Sequence, residues 1–164
     1  MSVADENDLE PLLVRASEAE VLGSDPTSAI TLLADAMDTG GRLTSNRTRF
    51  EPGSQGAPPH FHTRGAELFF VLAGSLQVLV GAEVVTLGEG DLLVVPPRVH
   101  HAFGPAPSSS ADVLIVFAPG TERFEYYRMV DRAARGETTR DEIATTQDRF
   151  DNHYVDSPIW EQAR

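Results

Sequence analysis

From Pro11 to about Phe117, apolar residues fall in short runs that turn residues cut at close intervals. The runs predict strands at Leu12–Arg15, Ile30–Ala34, Leu43–Phe50, Glu67–Leu72, Ser75–Val80, Glu83–Leu87, Leu92–Val95 and Val113–Phe117. They are rich in Val, Leu, Ile, Phe and Thr, whose side chains fit a pleated, half-buried surface. Between them lie Gly40-Gly41, Pro52-Gly53, Gly74, Gly81, Gly88-Glu89-Gly90 and Pro105-Ala106-Pro107. This spacing predicts an all-β sandwich or barrel rather than βαβ units.

Leu68-Phe69-Phe70-Val71-Leu72 is apolar on both faces, so it needs cover on two sides. The barrel interior supplies one. A second sheet, a C-terminal helix or a partner subunit supplies the other, and a homodimer is the expected assembly. After Gly120 the period changes. Phe124, Tyr127, Val130 and Ala134 recur at helical spacing before Gly136, and a second helix is predicted from Arg140 to about Arg149. The expected organisation is one domain over 1–164, with a core at about 28–118 and a short C-terminal helical extension at about 122–164.

Composition narrows the function classes. Asp and Glu number 25 against 13 Lys and Arg, giving a net charge of −12. That sign argues against nucleic acid or an anionic membrane as partner, because both reward clustered cations. Cysteine is absent, which excludes disulfides, thiolate nucleophiles and Cys-ligated metals. The first residues lack a basic start and an apolar core, and no apolar stretch approaches the roughly 20 residues that span a bilayer. A cytoplasmic location is the expectation.

Four of the five histidines fall in two segments, Pro58-Pro59-His60-Phe61-His62 and Pro96-Pro97-Arg98-Val99-His100-His101. In a strand, residues i and i+2 project to one face, and the prolines favour an extended backbone at His60 and His62. Glu67 opens an otherwise apolar strand, where a carboxylate is costly to bury without a cationic partner. Imidazoles with one carboxylate suit a divalent transition metal. His100 and His101 face opposite ways, so one of them reaches such a metal; spacing does not choose which.

These segments resemble the two motifs of the cupin superfamily. His60, His62, Glu67 and Gly74 fit the first motif, although Ser54 stands where its leading glycine is usual and Gly53 and Gly56 lie nearby. Gly90, Pro96 and His101 fit the second, with Arg98 in place of the inner glycine and Pro105 where Asn is frequent. The resemblance implies a double-stranded β-helix (jelly-roll) barrel. It implies one metal ion (Fe, Ni, Mn, Co or Zn) held by His60, His62, Glu67 and His101, with His100 facing elsewhere. His153 is expected to pack in the tail rather than close over the barrel mouth.

The resemblance, which is similar in type to quercetinase-like monocupins, implies a small-molecule substrate but no single reaction. The leading expectation is an oxygenase acting on an aromatic or enolic compound, with Glu67 as ligand or base. A redox-neutral cyclase, isomerase or lyase is the alternative, followed by a non-catalytic binding module. Arg47, Arg49 and Arg64 are weighed as substrate-orienting cations but read better as solvated charge. Phe50, Phe61, Phe69 and Phe103 are expected to line the barrel.

Overall fold

A computed structural model describes residues 10–164. Ten strands form one sheet: β1 (Val21–Leu22), β2 (Ser28–Ala34), β3 (Thr44–Phe50), β4 (Ala57–Phe61), β5 (Ala66–Val80), β6 (Glu83–Gly88), β7 (Leu92–Val95), β8 (His101–Pro105), β9 (Ala111–Ala118) and β10 (His153–Tyr154). The helices are α1 (Phe124–Ala134), α2 (Arg140–Ala144), α3 (Gln147–Phe150) and α4 (Pro158–Ala163). Every strand pair is antiparallel, and the main path runs β1-β2-β3-β9-β5-β8-β4-β10. Because β1 and β10 do not pair with each other, the sheet curls into a half-barrel and is not a fully closed jelly roll.

The centre of this architecture is β5. Its first half pairs with β7 and β9, and its second half with β6 and β8. The sequence predicts two strands here, divided at Gly74. In the structure the chain continues through that point with a register shift between Val71 and Ala73. Gly74 has φ +75°, and a Cβ there would lie 2.1 Å from the Ser110 carbonyl oxygen. The glycine therefore lets one strand bend between two parts of the sheet instead of ending one.

Glu67, Phe69 and Val71 are buried on one face of β5 opposite Phe117, Ile115 and Val113 of β9, and all but Glu67 belong to the main core. Phe50 and Phe103 join them, as expected of barrel-lining aromatics, whereas Phe61 lies outside this cluster. A second cluster packs Tyr126, Tyr127, Ile143 and Phe150 of the extension against Leu32. Trp160 of α4 packs on Leu79 and Ala102 in a third.

Three further expectations change. Leu12–Arg15 is not a strand: it has no pairing partner, and Leu12 and Leu13 are exposed. The helix predicted from Arg140 is broken into α2 and α3. The face of α1 is turned relative to the predicted stripe, since Tyr126 and Tyr127 are buried while Val130 is exposed. Asp35 holds the start of that helix. Its carboxylate accepts the backbone N–H groups of Arg123 and Phe124 at 2.9 and 3.3 Å, fixing the helix start over the sheet.

Candidate metal centre and its cleft

His60 lies on β4 directly opposite His101 on β8. Between Ala57 and His60 the register of that pair shifts, where Pro58 and Pro59 have no N–H to give to the ladder. His62 follows the end of β4, and Glu67 is the second residue of β5. All four side chains are buried, and their ligand atoms lie within 4.8 Å of one another.

Each imidazole is aimed by a backbone carbonyl. Nδ1 of His60 lies 2.7 Å from the Pro58 oxygen, that of His62 2.6 Å from Asp151, and that of His101 2.9 Å from Val99. A carbonyl only accepts, so each Nδ1 carries the proton and each neutral ring keeps its Nε2 lone pair. Those lone pairs converge on one carboxylate oxygen, Glu67 Oε2, at 4.0 Å from His60, 3.0 Å from His62 and 2.7 Å from His101. Acceptors facing an acceptor require a proton or a metal ion among them, and a divalent metal serves all four groups at once. The donor set fits such an ion.

The electrostatics agree. Burial holds His60 well below the ordinary imidazole range, helped by His101 and His62, which keeps it neutral. A proton can stand where such a cation would: with one on Nε2, His101 and His62 donate to Glu67, and these bonds outweigh the burial that opposes its charge and hold the carboxyl well below its usual range. Burial likewise opposes a charged His101, yet the bond to Glu67 and its charge raise the affinity of His101 for a proton. Glu67 thus remains ionised among imidazoles that a cation can share.

His100 is exposed and stacks on Phe61 at 5.2 Å between ring centroids. His153 stacks on the same ring at 5.0 Å and bonds Asp151. Both therefore stand apart from the cluster, as expected. Arg47 and Arg49 lie on the outward side of β3, where Arg47 binds Asp112 through two nitrogens. Arg64 is exposed, with Nε 3.5 Å from Asp151.

A recess of about 50 Å³ borders His60 and Glu67 and is also walled by Arg123, Tyr126, Tyr127 and Asn152. It shares Ala57, Phe103, Tyr126 and Tyr154 with a wider cleft of about 870 Å³ that runs between sheet and extension. Burial raises the Tyr126 and Tyr127 hydroxyls above the ordinary phenol range, so both stay protonated. Arg123, Tyr126 and Asn152 carry no spacing signal in the sequence. They stand in a charged and aromatic segment with the pattern of an appendage, whereas that segment forms a wall of the site.

Fold and cluster together give an antiparallel half-barrel that carries a candidate metal-binding cluster. Residues 46–121 match the family model Cupin_2, a cupin domain. No curated protein sequence matches the chain. Among solved structures, it resembles KdgF from Halomonas sp. at 22% identity, covering 71% of this chain and 98% of that one, with a TM-score of 0.59. The polyketide cyclase RemF from Streptomyces resistomycificus is similar at 18% identity, 76% and 98% coverage and a TM-score of 0.56. Pac13, a nucleoside dehydratase from Streptomyces, is similar at 20% identity, 67% and 83% coverage and a TM-score of 0.53. These likenesses show a shared cupin fold. Among the described residues, no helix is long and apolar enough to cross a membrane.

Proposed function

We propose that this protein is a metal-dependent cupin enzyme catalysing a redox-neutral reaction on a small organic molecule: dehydration, cyclisation, isomerisation or elimination. The observation that carries this reading is the convergence of three carbonyl-aimed Nε2 atoms on Glu67 beside a cleft. His60, His62, Glu67 and His101 are the proposed ligands, and a bound divalent ion would supply Lewis-acid polarisation of a substrate oxygen. Glu67 has low proton affinity while the imidazoles hold it, so its part as a base begins only when it leaves them. Tyr126 and Tyr127, kept protonated at the recess, are suited to donate hydrogen bonds to a developing oxyanion.

Two similar structures carry redox-neutral activities in their names, a cyclase and a dehydratase. This support favours the cyclase, isomerase or lyase alternative over the oxygenase of quercetinase type. Elemental analysis of the purified protein tests the centre. Metal is expected to be lost in His60→Ala and His101→Ala and kept in His100→Ala; retention in His101→Ala would overturn the ligand set. Turnover without oxygen supports the reaction class, while oxygen uptake with an enolic or aromatic compound would restore the oxygenase.

The outer face of β5 and β7 leaves Leu72, Leu92 and Val94 exposed. We assign this apolar face to a homodimer contact, since strands apolar on both sides require cover.

A further inference from the structure

We infer that Arg123 and Asn152 form a carboxylate-binding subsite beside the metal centre, so that the substrate is a small carboxylic acid. The inference rests on the small-molecule reading of the cleft but not on the metal.

Arg123 is 3% exposed, yet among the described residues no carboxylate lies within 4.0 Å of its guanidinium. One terminal nitrogen donates to the Phe150 carbonyl and the other to Asn152 Oδ1, each at 3.2 Å. Phe117, Tyr126 and Tyr127 surround the group with ring centroids at 4.8, 4.4 and 5.2 Å. Its Nε has no hydrogen-bond partner, and neither has Nδ2 of Asn152, which is 2% exposed. These are the only two such buried side-chain atoms among the described residues.

A buried guanidinium without a counter-anion is costly, and so is each orphaned N–H. Both residues wall the recess that also borders His60 and Glu67. Two free donors on coupled side chains match the two oxygens of a carboxylate, whereas a phosphate presents more acceptors than they can serve. The volume of about 50 Å³ admits a headgroup and leaves the rest of the molecule in the wider cleft. The aromatic surroundings hold the charge in place without neutralising it, and Glu67 on the same recess is engaged by His62 and His101, so the free donors await an anion.

The test uses benzoate and uncharged benzamide as probes, titrated calorimetrically into the full-length protein, both zinc-loaded and chelator-treated. Benzoate is expected to bind in both forms and benzamide in neither. Arg123→Gln is expected to weaken benzoate about tenfold or more while zinc content stays unchanged. Because that variant removes anchors to Phe150, Asn152→Asp provides a second arm. Its carboxylate supplies the missing partner internally, so melting temperature should rise and benzoate binding should disappear. Equal binding of benzoate and benzamide, or benzoate affinity unchanged in Asn152→Asp, would overturn the subsite. Loss of zinc binding with these responses intact would instead sink the metal reading alone.

Discussion

His62 is aimed by Asp151: the Asp151 carbonyl oxygen lies 2.6 Å from His62 Nδ1, while the Asp151 carboxylate secures the loop that follows that histidine. The carboxylate accepts the N–H groups of Thr63 and Arg64, the Thr63 hydroxyl and His153 Nε2. One residue of the extension thus sets both the ring and the turn beside it.

Asp151 should make stability depend on acid. Its burial favours the neutral form, but bonds from Thr63, Arg64 and His153 outweigh that and lower its pKa to about 2 from 3.8. A depressed carboxyl stabilises the fold above the unfolded value and loses that contribution as pH falls from about 4 towards 2. The amount is on the order of 2 kcal/mol. The difference in unfolding free energy between the protein and Asp151→Asn should therefore shrink across that window. A difference constant with pH would refute it.

Metal should stabilise through the same ring set. Zinc at about a hundred times its dissociation constant is expected to add about 2.7 kcal/mol to folding. A thermal scan should show the rise in the unaltered protein and none in His101→Ala, and chelation should reverse it.

Gly74→Ala should cost about 2–5 kcal/mol, combining backbone strain with collision against Ser110. Gly81 is the control. It has φ +61° but no atom within 4 Å of its would-be Cβ, so Gly81→Ala should cost only about 1–2 kcal/mol. Equal losses in urea titration would show that the close approach at Gly74 contributes nothing.

Arg98 occupies the position where the second motif has glycine, and it adopts φ +70°. Its N–H donates to the His62 carbonyl at 2.7 Å, joining the two motif segments. Arg98→Gly keeps that bond and relieves the left-handed strain, so stability should rise by up to about 1 kcal/mol. A fall on chemical denaturation would assign the arginine side chain a structural role.

Replacing Leu92 and Val94 together by glutamate should turn a dimer into a monomer in sedimentation without changing zinc content. An unaltered protein that sediments as a monomer would remove the dimer proposal.

The sequence disclosed three members of the cluster because they sit at strand spacings that the backbone converts directly into position, while the choice of His101 over His100 came from the motif resemblance. His60 and His62 need only an extended chain, and Glu67 needs only to lead a buried strand face. The rest of the site was hidden for a different reason. Arg123 and Asn152 stand in segments where no local period marks them as inward. Their burial depends on Asp35 holding the start of α1 and on β10 pairing with β4, contacts remote in sequence. Leu12–Arg15 misled for the converse reason: apolar composition alone does not provide a strand with a neighbour.

Timing follows from the pairing of His62 with a residue 89 positions later. As the chain leaves the ribosome, His60, His62 and His101 emerge well before the Asp151 carbonyl that orients one of them. A nascent chain therefore carries an unaimed ligand until Asp151 is made, and a metal ion held by this set would be bound selectively only after that point.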